Sequence, residues 1–342
     1  MLEHGGNLNH AVTHYGIARA DWIDLSTGIN PWPYPAASLS ADAWHRLPEH
    51  DAALSRAACA YYGAPRMLPV AGSQAAIQAL PQLRWRHNGV ARVAVAAPSY
   101  AEHAHRWAQA GHVMREVPYE ALATAVDDCD VLVVCNPNNP TGACVPPASL
   151  QRWAQQLAAR GGWLVVDEAF GDTTPHTSMA TLYGEQPGLI VLRSVGKFFG
   201  LAGARLGFVA AQASLLDALQ EWLGPWAISA PAQQIGTAAL CDTPWQDATR
   251  QRLLLAGARL HDLLGSYGIA ATGTALFQWW REPQAPALHD WMARQGIWVR
   301  LFTHGAGGIR LGLPPDEAAW QRLQLALQGW QQQVSESTKA LS

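Results

Sequence analysis

Short apolar runs recur along the first two-thirds of the chain, each closed by glycine, proline or a polar residue. Seven of them lie at 67–71, 92–97, 113–117, 131–135, 163–167, 189–194 and 206–210, five or six residues each. That length, with so few polar positions inside, predicts strands buried on both faces. Over 73–86, 101–110 and 148–160 apolar positions return every three or four residues, which predicts helices. Strands alternating with helices predict a largely parallel sheet covered on both sides. Beyond about residue 225 the pattern changes. A helical region over 229–265 leads to β-like segments near 273–281, 296–302 and 308–313, and a last helix follows Asp316, a residue suited to cap it. The reading is an amino-terminal arm (1–35), a large α/β domain (36–225) and a smaller α+β domain (226–342).

Composition narrows the class. Of 342 residues, 49% are hydrophobic and only 14% charged, against roughly 25% charged in a typical domain. The shortfall predicts extensive buried surface, including a subunit interface. A net charge of −3 gives no attraction to nucleic acid or to a membrane surface. No apolar run reaches membrane-spanning length, and a polar start containing His4, Gly5, Gly6 and Asn7 does not resemble a signal peptide. Five scattered cysteines form no Cys-x-x-Cys pair, which predicts reduced thiols, a cytoplasmic protein and no metal site. Sixteen dispersed tryptophans read as packing.

Lys197 carries the most chemistry. It stands in Arg193-Ser194-Val195-Gly196-Lys197-Phe198-Phe199-Gly200, directly after the apolar run 189–194. A buried ammonium is costly, so a lysine there needs an anionic or carbonyl partner. A nucleotide phosphate loop would place glycine five residues before the Gly-Lys pair and Ser or Thr after it. Those positions hold Val191 and Phe198. Two other polar signals close apolar runs: Asn136-Pro137-Asn138-Asn139-Pro140-Thr141-Gly142 and Asp167-Glu168-Ala169-Phe170. Alone, each reads equally well as a turn or a helix cap. Together they mark the carboxyl ends of strands, where α/β sheets bind ligands. Ala71-Gly72-Ser73-Gln74 opens a helix whose free backbone N–H groups suit an anion.

Ser-x-x-Lys at Ser194 and Lys197, Arg205 eight residues on, and Asn then Asp upstream resemble fold-type I enzymes that use pyridoxal 5′-phosphate, the group of class I/II and histidinol-phosphate aminotransferases. The resemblance implies that Lys197 bears the cofactor and moves protons at Cα. It implies that Asp167 keeps the ring nitrogen protonated and that Asn139 donates to the ring oxygen. Tyr100 would stack on the ring, and Gly72, Ser73, Gln74, Ser194 and Arg205 would bind the cofactor phosphate. It further implies a homodimer.

The two ends of the chain bear on the substrate. His4-Gly5-Gly6-Asn7 and Ser26-Thr27-Gly28-Ile29-Asn30-Pro31 resemble the opening of the threonine-phosphate decarboxylases of cobalamin biosynthesis. Arg310, in Gly308-Ile309-Arg310-Leu311-Gly312, resembles the arginine that grips a substrate anion in aminotransferases, and Arg300 lies ten residues earlier on another apolar segment. Two such arginines suit a doubly anionic substrate. The expectation is decarboxylation of L-threonine O-3-phosphate to (R)-1-aminopropan-2-ol O-2-phosphate, with His4, Gly5, Asn30, Asn139, Arg300 and Arg310 at the substrate. An aminotransferase acting on a phosphorylated or aromatic amino compound shares every cofactor residue and remains the alternative. Two positions depart from the family pattern. Phe170 replaces a common tyrosine, and Leu47 replaces a tyrosine that reaches the cofactor phosphate across the dimer.

Overall fold

A computed structural model of the chain describes residues 5–36, 38–49, 51–180, 186–303, 305 and 307–340. In chain order the elements begin α1 (Leu8–Tyr15), β1 (Ile23–Asp24), α2 (Asp42–His45), α3 (Ala52–Tyr62), β2 (Leu68–Val70) and α4 (Ser73–Asn88). There follow β3 (Arg92–Ala97), α5 (Ala101–Gln109), β4 (Val113–Pro118), α6 (Leu122–Ala125), β5 (Val131–Cys135), α7 (Pro147–Ala158) and β6 (Trp163–Asp167). Then come β7 (Leu189–Ser194), β8 (Gly207–Ala210), α8 (Ala213–Leu223), α9 (Ala230–Cys241) and α10 (Thr243–Ser266). The chain continues through β9 (Thr272–Thr274), β10 (Phe277–Trp280), α11 (Ala285–Arg294), β11 (Ile297–Trp298), β12 (Arg300–Phe302), β13 (Gly308–Gly312) and α12 (Glu317–Ala340).

Two compact units divide the chain. The larger holds Pro33–Asn139 and Ala143–Arg250; the smaller holds Met1–Trp32, Pro140–Gly142 and Gln251–Ser342. All seven apolar runs of the larger unit are strands of one sheet, ordered β2-β8-β7-β6-β5-β3-β4. Its pairs from β4 through β7 are parallel, and β8 runs antiparallel to both of its neighbours. Val93, Val95, Val131, Val133, Val165, Ile190 and Leu192 share a core with Ile77, Leu80 and Leu83 of α4, Trp107 of α5, and Leu216 and Leu219 of α8. Each such side chain contributes about 1.5–3 kcal/mol on burial, so the sheet is the rigid frame from which its carboxyl-end loops project.

The domain limits differ from those read from hydropathy. The larger unit extends to Arg250, not to about 225, because α9 packs on α3: Gly236 lies against Leu54 and Leu206. The amino-terminal segment is no separate arm. Its β1 pairs in parallel with β11, Ile23 opposite Ile297, and its α1 packs beside Trp22 and Trp298 through Tyr15 and Ala11. The smaller unit is completed by an antiparallel sheet ordered β12-β13-β10-β9. The expected cap is present: Asp316 Oδ1 accepts from the Ala319 N–H at 2.8 Å at the start of α12.

Candidate active site

Strand β6 ends at Asp167, whose carboxylate lies beneath α5. His103 Nε2 is 2.9 Å from Asp167 Oδ2, and both side chains are buried. The other carboxylate oxygen accepts from the Ala169 N–H at 3.0 Å. Burial alone would lower the His103 pKa. The Cys135 sulfur and the Asp167 carboxylate more than offset this and hold the imidazole above its ordinary value. His103, Cys135 and Asp167 bring donor atoms within 4.8 Å of one another, one ligand short of the four that a structural zinc site uses. His103 was not singled out from sequence. Its signal was available: it follows Tyr100 by three residues, so the two stand close on one turn, their rings 6.1 Å apart edge to face.

A buried charge cluster pins the same region. Arg193, the residue before Ser194, donates to Glu168 Oε2 at 2.6 Å and to Asp172 Oδ1 at 3.0 Å, with its Cζ 4.5 Å from the Tyr62 ring centroid. Burial raises the Glu168 and Asp172 carboxyls, and Arg193 opposes that rise. Removing one member of such a set leaves a buried charge uncompensated, a loss of about 3–5 kcal/mol. The cluster therefore locks the loop after β6, which starts from Asp167, to the end of β7, which leads to Lys197.

Lys197 lies in the loop after β7. Its Nζ is 5.3 Å from the ring centroid of Phe170, so the phenylalanine that stands for the family's tyrosine is buried beside the amine. Ser194 Oγ accepts from the Gly196 N–H at 3.1 Å. Tyr100 starts α5, and its hydroxyl donates to Gln74 Oε1 at 3.2 Å, while the Gln74 amide donates to Glu102 at 2.5 Å. The Gln74 side chain is thus engaged, and its backbone N–H is what the first turn of α4 can offer a ligand. Asn139 ends the first segment of the larger unit, next to the buried Asn138, which donates to the Pro98 carbonyl. Leu47 is exposed.

The start of α4 is built for an anion. Gly72 caps it at φ 71°, with no acidic residue in the first turn. A Cβ on Gly72 would stand 2.7 Å from Arg205 Nη2, and one on Gly207 would stand 2.5 Å from the Ser73 nitrogen. Arg205 itself adopts φ 50°, a strained backbone for a side-chain-bearing residue. A guanidinium laid on the positive end of a helix is unfavourable by itself. A phosphate between them reverses the sign of the interaction.

In the smaller unit, Arg300 and Arg310 are register partners across β12 and β13. Arg310 is buried and donates through Nη2 to the Ser26 carbonyl at 2.6 Å. Burial first, then the Arg300 guanidinium, push its pKa well below the usual arginine range, and Asp24 opposes them. Gly5 packs against Ser26, and the Gly6 N–H donates to Ser26 Oγ. Asn30 is buried and accepts from the Trp32 N–H at 2.9 Å. His4 lies outside the described residues.

The class I and II aminotransferase profile matches residues 20–319. The chain belongs to this family. It is 54% identical to a threonine-phosphate decarboxylase of Pseudomonas aeruginosa, over 98% of this chain and 100% of that one. A threonine-phosphate decarboxylase of a Sinorhizobium species is 41% identical over 95% of this chain and 97% of its own. In fold it is similar to a histidinol-phosphate aminotransferase of Sinorhizobium meliloti solved with pyridoxal-5′-phosphate, with a TM-score of 0.80 at 19% identity over 97% of this chain and 96% of that one. The family cofactor is pyridoxal 5′-phosphate. The larger unit fits it: an anion cradle at Gly72, Ser73 and Arg205, a buried carboxylate at Asp167 and a lysine amine at Lys197 all lie at or near strand ends of one sheet.

Proposed function

We propose that this family member decarboxylates L-threonine O-3-phosphate, releasing carbon dioxide and (R)-1-aminopropan-2-ol O-2-phosphate for cobalamin biosynthesis. The observation that carries the reading is 54% identity, along the whole of both chains, to a relative of that name. Two guanidiniums opposed in one strand pair support it. Like charges directly opposite are destabilising, and a substrate bearing phosphate and carboxylate could offer each guanidinium an anion.

When bound, pyridoxal 5′-phosphate supplies an electron sink for the bond broken at Cα. The Lys197 amine would hold the cofactor aldehyde and could move a proton at Cα. The Asp167 carboxylate holds the proton on the ring nitrogen, and His103 fixes that carboxylate in turn. Tyr100 stacks on the ring and Asn139 donates to the ring oxygen. Phe170 supplies no hydroxyl at that oxygen, which places more weight on Asn139. The N–H groups of Gly72, Ser73 and Gln74, the Ser194 hydroxyl and Arg205 hold the cofactor phosphate. Arg300, Arg310, Asn30, Gly5 and His4 hold the substrate's anions. Which bond breaks at Cα would depend on where these residues hold the substrate's phosphate and carboxylate.

We further read the enzyme as a cytoplasmic homodimer. Trp44, Leu47 and Trp226 of the larger unit are large apolar side chains left exposed in a single copy, and exposed apolar surface of this kind marks interfaces. Among the described residues no disulfide joins the five cysteines, as a reducing compartment requires. Among the described residues no helix is long and apolar enough to cross a membrane.

The test is the product formed from threonine phosphate with and without 2-oxoglutarate. Carbon dioxide and the amino alcohol phosphate in both cases support the proposal. A 2-oxo acid product that requires 2-oxoglutarate identifies an aminotransferase and refutes it.

A further inference from the structure

The loop from Asp24 to Gly28 holds more of the smaller unit together than its length suggests. Ser26 is buried, and every polar group it owns is engaged. Its N–H and its hydroxyl both donate to Asp24 Oδ1, at 2.9 and 2.6 Å. Its Oγ accepts from the Gly6 N–H at 2.7 Å. Its carbonyl accepts from Arg310 Nη2 at 2.6 Å. The loop is clamped to β13 a second time, by the Gly312 N–H on the Leu25 carbonyl at 2.7 Å. The Gly5-Gly6 turn seats on the same serine. A Cβ on Gly5 would strike the Ser26 carbonyl, and Gly6 adopts φ 84°, where a side chain is strained.

A backbone carbonyl directs a guanidinium without neutralising it. A carboxylate in the same place would cancel the charge that an anionic substrate needs. Asp24, the first residue of this loop, instead accepts from the serine N–H and hydroxyl. Arg310 therefore stays aimed and charged.

We propose that Ser26 is a positioning residue for substrate binding: through one side chain and one carbonyl it sets the Gly5-Gly6 turn and the Arg310 guanidinium in register with each other. This rests on the reading of Arg310 as a substrate-anion residue. Neither element is then placed without the other, and the amino-terminal turn gains a defined seat beside the anion it helps to enclose.

The test uses the full-length, cofactor-loaded enzyme and two variants, Ser26→Ala and Gly5→Ala, alone and combined. Inorganic phosphate binding is read by calorimetry, and kcat and KM are read with threonine phosphate. Ser26→Ala strands the Gly6 N–H and one acceptor site on Asp24, since the residue 26 N–H still donates to that carboxylate. A buried group left unpaired in this way corresponds to about a tenfold loss in binding. The phosphate Kd and the KM should both rise by that factor. The kcat and the cofactor absorbance should stay near those of the parent enzyme, and the melting temperature should fall by only a few degrees, roughly what one unpaired buried group costs the fold. Gly5→Ala should give a similar rise, and the double variant should be no worse than either single one, because both break one contact. Losses that multiply to about 100-fold in the double variant would mean two independent sites and would overturn the proposal. So would an unchanged phosphate Kd in Ser26→Ala, or a loss of cofactor and melting temperature that accounts for the weaker binding. If the parent enzyme fails to decarboxylate threonine phosphate, the functional reading falls, while the phosphate titrations still decide the role of Ser26.

Discussion

Arg300 and Arg310 make opposite demands on stability and on binding, and Arg300→Met separates them. The two residues are directly opposite in the β12–β13 ladder, where Cβ atoms stand about 5 Å apart. Two unit charges at about 6 Å repel by roughly 3 kcal/mol at an effective dielectric of about 20. Arg300 is only half-buried, and solvent screening cuts that to about 1 kcal/mol. Methionine keeps an unbranched stem and removes the charged guanidinium, whose Cζ lies 5.2 Å from the Phe302 ring centroid. Arg300→Met should therefore be about 1 kcal/mol more stable than the parent enzyme in the absence of anions. It should also lose the charge-assisted contact to substrate, about 2–5 kcal/mol, or roughly 30-fold to several thousandfold in kcat/KM. The assay is urea unfolding of the cofactor-loaded protein with and without inorganic phosphate, alongside steady-state kinetics. Phosphate should stabilise the parent, since a ligand that binds only the folded state adds to its stability. It should stabilise Arg300→Met much less. A variant that is less stable without phosphate, yet turns over threonine phosphate normally, would show that the pair is structural and that the anion reading is wrong.

Borohydride treatment of the yellow holoenzyme should fix the cofactor to the peptide containing Lys197; label on another lysine refutes the assignment. Asp167→Asn should keep bound cofactor but lose several kcal/mol of transition-state stabilisation, roughly 10³-fold or more in kcat, and near-normal turnover would refute its role. His103→Gln should lower kcat by about ten- to a hundredfold, as removal of a group that orients a functional ligand does, without loss of bound cofactor. The imidazole also leaves a signature in pH. A base whose pKa rises on folding stabilises the fold fully below its unfolded value, about 6.5, and loses that contribution as pH climbs through the folded value. With the His103 pKa pushed up to about 10, the cofactor-free parent should lose melting temperature across that interval, and His103→Gln should flatten the slope; equal slopes in both proteins refute the ion pair.

Much of this enzyme is written locally in its sequence. The seven strands of the large sheet are continuous apolar runs, because a strand covered on both faces tolerates no alternation, and each run became a strand within a residue or two. Lys197, Asp167, Asn139 and the Gly72-Ser73 turn could be picked out as candidates because each lies at or just after the end of such a run, and the carboxyl edge of a parallel sheet gathers strand ends from distant parts of the chain. Asp316 could be read as a cap because a cap is a local bond. What remained hidden depends on pairings that no local pattern encodes. β1 and β11 are two residues each and lie more than 270 positions apart, so neither could show that the amino-terminal segment belongs to the small unit. The boundary at Arg250 follows from α9 resting on α3, a helix–helix contact invisible in either helix alone. His103 looks like any histidine on a helix until α5 sets it 2.9 Å from Asp167. Arg193 looks like a strand-end arginine until Glu168 and Asp172 close on it. The residue types needed for this chemistry can be read along the chain, but their protonation, orientation and partners are set by what tertiary packing brings to within 3 Å and shields from water.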